Sequence, residues 1–214
     1  MKAKRFTVWV LFAALFGLMT VNKAMASDLL PPQQAIEKAS LKLQEKLQDK
    51  SFTKDFSKIA EFVNEVIYPH TDFDRISALV LGQNWKTATN DERQRFKQEF
   101  QTLLVRTYSR AFVEFHDWSV RFLPLSMENG ATKVIVKTEV LQPGLQPIAV
   151  NYRMLLSKGD WKAYDIMIEG VSLVTNYRTT FSNEVKTKGS LNAVIDGLAK
   201  RNAEALAGKV SAKS

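Results

Sequence analysis

The side chains that could do chemistry in this 214-residue chain are few. There is no cysteine, which removes thiol nucleophiles, thiolate metal sites and disulfides together. The two histidines, His70 and His116, have no partner at a useful spacing. His70 follows Pro69 in a turn signal, and His116 falls near a helix C-terminus, where a partly charged imidazole is favourable. Asp72 and Asp74 could be metal carboxylates, but an N-cap followed by a first-turn acid accounts for both. Asp165 and Glu169 lie four apart in a strand-patterned run and so share a face. With Tyr164 they make the acid/base set of a small hydrolase; in the competing reading Asp165 accepts hydrogen bonds that fix the strand, and Glu169 marks its end beside Gly170. No Walker loop, dinucleotide fingerprint, G-x-S-x-G elbow or H-E-x-x-H is present, so no catalytic residue, metal or cofactor is assigned.

Two further groupings bear on binding. Arg95, Arg106 and Arg110 form a basic stripe, either a solvated helix face or a docking patch for an acidic partner. Phe73, Trp85, Phe96, Phe100, Tyr108, Phe112, Phe115, Tyr152, Trp161 and Tyr164 make a large apolar inventory. They either fill a solid core or line a cavity open to an apolar ligand, and periodicity does not separate the two.

The elements that must hold these residues change period midway. Ala35, Ile36, Ala39, Leu43 and Leu47 recur at helical spacing after Pro31-Pro32. Phe56, Ile59, Ala60, Val63 and Ile67 mark a second helix, ended by Tyr68-Pro69-His70. Asp72 caps a third helix through Leu81, with Gly82 placed for a left-handed C-terminal residue. Thr89-Asn90-Asp91-Glu92 fits a capping box, and Phe96, Phe100, Leu103, Leu104, Thr107, Tyr108 and Ala111 extend that helix to about Phe115. From Val120 the period is two: Val134, Val136 and Val140 alternate with charges, as do Ile148, Val150, Tyr152, Met154 and Leu156 with polar residues. A last strand is expected from Trp161 to about Leu173, then closing helices over 176–185 and 191–199. The hairpin register stays open: a two-residue turn at Lys158-Gly159 opposes Met154 to Ala163, a three-residue turn opposes it to Tyr164, and one residue of slip flips the inner face. The fold class is α+β, N-terminal helices packed on a curved antiparallel sheet with short C-terminal helices.

The N-terminus reads as an address. Lys2, Lys4 and Arg5 precede an apolar run from Phe6 to Val21, and Ala24-Met25-Ala26 supplies a cleavage site, so residues 1–26 are expected to be a secretory signal peptide and 27–210 a single domain. The leader holds four of the cations and no acid, so the formal charge of +8 falls to 8 − 4 = +4 without it. The whole-chain charge is therefore no argument for nucleic-acid binding.

The run from Ala78 through Leu79-Val80-Leu81-Gly82-Gln83-Asn84-Trp85-Lys86-Thr87-Ala88-Thr89, continuing through Arg93, Phe96 and Phe100, resembles the signature of the MlaC family, the toluene-tolerance auxiliary transport proteins. The resemblance resumes at Trp161-Lys162-Ala163-Tyr164-Asp165-Ile166, at Glu169-Gly170-Val171-Ser172-Leu173, at Asn176-Tyr177-Arg178 and at Thr187-Lys188-Gly189. It implies a fold similar to nuclear-transport-factor and cystatin-like proteins, and a periplasmic carrier that binds a phospholipid by its acyl chains. The implied partners are an outer-membrane lipoprotein–porin complex and an inner-membrane ABC transporter with a ring subunit, and the implied role is to maintain outer-membrane lipid asymmetry. On that reading the core-facing patterns nominate lining residues. From the helices these are Ile67, Phe73, Leu79, Trp85, Phe100, Leu104 and Tyr108; from the strands Val136, Val150, Tyr152 and Met154. The last strand and the residue just beyond it add Ile166, Met167, Val171 and Val174, with both Ile166 and Met167 kept because the parity is open. Arg95, Arg106 and Arg110 are the nominated partner patch. The alternatives are the Asp165/Glu169/Tyr164 hydrolase and an interaction module with a filled core.

Overall fold

A computed structural model describes residues 29–49, 51–52, 55–114 and 117–206, with side chains left out at 56 and 109–114. The expected signal peptide, His116 and the tail from 207 lie outside these residues.

Helix α1 runs Pro31–Leu47, with proline in its first turn, where a missing N–H costs nothing. Gln33 is buried and ties this helix to the sheet: its amide donates to the Leu123 carbonyl at 3.1 Å, while its side-chain oxygen accepts from the Leu30 N–H. Helix α2, Phe56–Phe62, is capped by Asp55. It passes into a π-helical turn, Val63–Ile67, and a 3₁₀ turn, Tyr68–His70, so the break at Pro69 is preceded by a widened turn that the apolar spacing does not reveal. Asp72 caps α3, Phe73–Leu81, as expected, and a short α4 follows at Gln83–Thr87. Thr89 and Glu92 exchange both capping-box hydrogen bonds, at 3.2 and 2.8 Å, to open α5, Asn90–Glu114.

Gly82 separates α3 from α4 at φ 55°, ψ −117°. The expected left-handed helical conformation is not what it adopts; this region is closed to side-chain-bearing residues because their Cβ meets the backbone. Gly82→Ala is therefore expected to lower stability by about 1–3 kcal/mol in denaturant titrations, although an added Cβ would meet nothing nearer than Arg178 Cδ at 3.9 Å.

Five antiparallel strands follow in chain order: β1 Ser119–Phe122, β2 Lys133–Leu141, β3 Ile148–Ser157, β4 Asp160–Ile168 and β5 Val171–Ser172. Both registers left open for the β3–β4 hairpin occur. A two-residue turn with Lys158 and Gly159 at φ 51° and 90° opposes Met154 to Ala163. A bulge then leaves Tyr164 unpaired, and beyond it Arg153 opposes Asp165 and Tyr152 opposes Ile166, the register of the longer turn. Strand β4 also ends five residues sooner than expected, at Ile168. Glu169 and Gly170 take positive φ in a tight turn, and Ser172 caps α6, Leu173–Lys188. Gly189, in the left-handed region, separates α6 from α7, Leu191–Leu206. Each closing helix has 16 residues, longer than the apolar pattern indicated.

Among the described residues the buried side chains form three clusters. The largest joins α3, α5, α6 and α7 around Phe96, Phe100, Phe181, Val194, Ile195 and Leu198. A second gathers Leu43, Leu47, Phe52, Ile59 and Val105. The third packs Ile36 of α1 on Val136, Met154 and Ala163 of the sheet. Among the described residues no helix is long and apolar enough to cross a membrane.

Candidate functional site

Strand pairing sorts most apolar strand residues onto one face of the sheet, although Ile135, Leu141, Leu155 and Met167 fall on the other. Val134, Met154 and Ala163 lie in one row, Val136, Tyr152 and Ile166 in the next, then Thr138, Val150 and Ile168, and finally Val140 beside Ile148. The opposite face carries Lys133, Lys137, Glu139, Asn151 and Arg153. The alternation of β2 and β3 produces this segregation directly.

The two ends of the apolar face differ. Near the β3–β4 turn, α1 covers it, and Val136 and Met154 are 0% and 1% exposed. Farther along, Val140, Ile148 and Ile168 remain only half-buried, as does Ile166 beside Tyr152 in the row of Val136; none of the three clusters includes them, although Thr138 and Val150 between them are buried. Thr138 is the polar member of this face, buried and donating from Oγ1 to the Val150 carbonyl at 2.6 Å. In the neighbouring row, burial pushes the Tyr152 phenol pKa up to about 12.

This arrangement has a pH signature. Between pH 10 and 12 an unfolded Tyr152 has lost its proton and the folded one has not, so raising pH favours unfolding. Tyr152→Phe is expected to make the alkaline fall in stability shallower across that window, read by denaturant unfolding at a series of pH values. Burial raises the Tyr68 and Tyr108 phenols as well, so part of the alkaline slope remains.

The nominated lining residues divide by location. Ile67, Tyr108, Tyr152, Ile166 and Leu104 are half-buried, and Val150 is buried on the sheet face. Phe73, Leu79, Trp85 and Leu104 pack against the helical cluster, in which Phe100 and Val174 are buried. Phe100 and Met154 at 1% and Val136 at 0% exposure touch no open space and fill the interior in this conformation. Parity is decided by the bulge: Ile166 opposes Tyr152 on the apolar face, whereas Met167 opposes Asn151 on the polar one. Val171, on the edge strand, is 59% exposed. Ile168, Val140 and Ile148 belong to the apolar face but were not nominated. The alternating pattern contains the latter two, while Ile168 needs the bulge to be placed.

The carboxylate pair does not assemble. Asp165 is 3% exposed and committed to the start of α6: its oxygens accept from Ser172 Oγ at 2.7 Å and the Val174 N–H at 3.1 Å, with Arg153 Nη1 at 3.6 Å. Glu169 lies past the strand end, in the turn, and accepts from the Ala149 N–H. Tyr164 is the unpaired bulge residue, with the Arg75 guanidinium 5.9 Å from its ring. Asp165 therefore fixes a helix to a strand, as the competing reading had it. Asp72 accepts from the Arg75 backbone N–H at 3.0 Å as the cap of α3, and Asp74 pairs with Lys97 at 2.6 Å. The imidazole pKa of His70 is lowered by burial and by Lys38 and Lys42. Among the described residues no group of three His, Asp or Glu side chains is placed to hold a metal.

The basic stripe is drawn into the fold. Arg95 bonds Asp196 at 2.5 Å and Asn192 at 3.3 Å, and Arg106 donates to the Arg201 carbonyl at 3.1 Å, all on α7. Both link α5 to α7, Arg95 while its side chain stays 39% exposed; the side chain of Arg110 lies outside the described residues. Similarly, Arg93 secures α4, donating twice to the Trp85 carbonyl and placing its guanidinium 5.1 Å from the indole.

Known proteins share this architecture. A phospholipid-binding protein from Ralstonia solanacearum, solved in complex with a phospholipid, superposes with a TM-score of 0.76 at 28% identity, over 82% of this chain and 98% of that one. The toluene tolerance protein ttg2D of Pseudomonas putida is 26% identical over 145 residues, 67% of each chain. The intermembrane phospholipid transport system binding protein MlaC of Haemophilus influenzae is 23% identical over 175 residues, 80% of each. The family model described as MlaC protein matches residues 37–200, which includes α3 to α6, the whole sheet and most of α1 and α7. The chain belongs to the MlaC family.

Proposed function

We propose that this protein binds a phospholipid by its acyl chains and carries it through the periplasm, between an outer-membrane lipoprotein–porin complex and an inner-membrane ABC transporter. The observation that carries the reading is the half-buried stretch of the sheet's apolar face, Val140, Ile148, Ile166 and Ile168, which belongs to none of the packed clusters. An apolar face that the protein's own core leaves partly uncovered is what a lipid tail needs. The phospholipid bound by the Ralstonia relative supports the same class of ligand.

The energetics require such a surface. Moving one CH₂ into water costs about 0.8 kcal/mol, so a ~14-carbon chain costs on the order of 10 kcal/mol. Free passage through water is negligible, and a carrier must replace bilayer contacts with protein walls. Because Phe100, Val136 and Met154 are already packed, the tails enter along the seams between clusters by moving helices off the sheet, not by filling a space those residues line. Release then needs a partner that favours the closed packing, since equal affinity in every state would move nothing. The leader-like N-terminus supports export, and the engagement of Asp165 in capping α6 argues against the hydrolase reading.

Solvent extraction and mass spectrometry of gently purified protein tests this. One phospholipid per chain is the expected result; protein that carries none, and takes none up from labelled vesicles, overturns it.

A further inference from the structure

A surface cleft of about 390 Å³ lies away from the sheet, between the Gly82–Asn84 turn and the flank of α6. Val185 and the edge of Leu81, which is otherwise buried at 3% exposure, supply its apolar contribution; Arg178, Ser182 and Lys186 supply the rest of the α6 side. Parts of two sequence blocks that carry the family resemblance meet here, Leu81-Gly82-Gln83-Asn84 and Arg178, and none of these five residues is among the nominated lipid-lining residues. Their junction is built: Arg178 Nε donates to the Leu79 carbonyl at 2.6 Å, which anchors the guanidinium at one end of the cleft. Lys186 marks the other end. No acidic side chain lines the cleft among the described residues.

The spacing of the cations selects the ligand. Eight residues along one helix separate Arg178 from Lys186 by ~12 Å. A single phosphate is too small to span that distance. In an extended chain, alternate side chains share a face, and residues four apart are ~13 Å apart. A segment reading acid–x–apolar–x–acid therefore presents two carboxylates to the two cations and its central side chain to Leu81 and Val185.

We propose that this cleft docks an extended acidic segment of a partner protein, with that alternating pattern. The proposal does not rest on the phospholipid reading, because the cleft lies apart from the apolar sheet face. The test is fluorescence polarisation with purified protein and a labelled peptide, Ser-Glu-Thr-Leu-Thr-Glu-Ser, against its scramble Ser-Glu-Glu-Leu-Thr-Thr-Ser. The patterned peptide should bind, weaken with salt, and exceed the scramble by about tenfold. Lys186→Glu and the cleft-filling Ser182→Trp should each reduce binding by about tenfold while circular dichroism and melting temperature stay close to those of the parent. Absence of binding, equal binding of both peptides, indifference to both substitutions, or full displacement by millimolar inorganic phosphate would each overturn it.

Discussion

Phe100→Ala is expected to lower the free energy of unfolding by about 3–5 kcal/mol. The ring is 1% exposed and lies at the centre of an aromatic group, with Phe96, Phe73, Tyr177 and Phe181 at centroid distances of 5.4, 5.7, 5.1 and 5.6 Å. Its neighbours come from α3, α5 and α6, which cannot collapse together because each is also fixed by other bonds. Arg178 holds α6 to the end of α3, and Arg95 holds α5 to α7. The cavity therefore persists, and its cost adds to the lost burial. Against a total stability of about 5–15 kcal/mol for an ordinary domain, the loss is large. Equilibrium denaturation checks it. A change below about 1 kcal/mol would show that Phe100 sits in a space able to close or already open, and would restore it to the lining of a ligand cavity.

The second large effect concerns cargo. Ile166→Asp is expected to remove phospholipid from the purified protein, from about one per chain to a trace. Ile166 opposes Tyr152 on the apolar face and is half-buried, so a carboxylate there would either have to lose its hydration beside an acyl chain or hold water in the chain's place. Either outcome opposes lipid. Since a charge on a half-buried strand position also risks unfolding, Met167→Asp is the matched control: it alters the next residue of β4 but on the polar face, opposite Asn151. Lipid quantified by mass spectrometry should vanish in the first variant and persist in the second, with both melting cooperatively. Equal retention in both would remove the sheet face from the binding site.

Much of this molecule is readable from one dimension. Local interactions decide the capping box at Thr89, the cap at Asp72, and the alternation that sorts Val134, Val136 and Val140 from their charged neighbours. Each involves residues within a few positions of one another, so spacing carries the information. The π-turn at Val63–Ile67 was not legible, because its apolar spacing differs little from that of an ordinary helix over so short a run. The end of β4 was also missed. Glu169 takes a positive φ that its type does not advertise, and the strand pattern continues across the turn into α6.

The candidate site divides along the same line. Composition and sequence blocks alone pointed to an α+β chain without thiol chemistry and to its family, since both depend on which residues are present and in what order. Tertiary structure alone decided which apolar residues fill and which remain partly uncovered, because burial depends on what a distant helix happens to cover. It also decided parity on β4, where the bulge at Tyr164 turns Ile166 toward the apolar face and Met167 away from it. It also brought α7, about a hundred residues downstream, within hydrogen-bond reach of Arg95 and Arg106. Periodicity along a chain records which side of an element avoids water; it holds no record of whether protein or ligand does the covering.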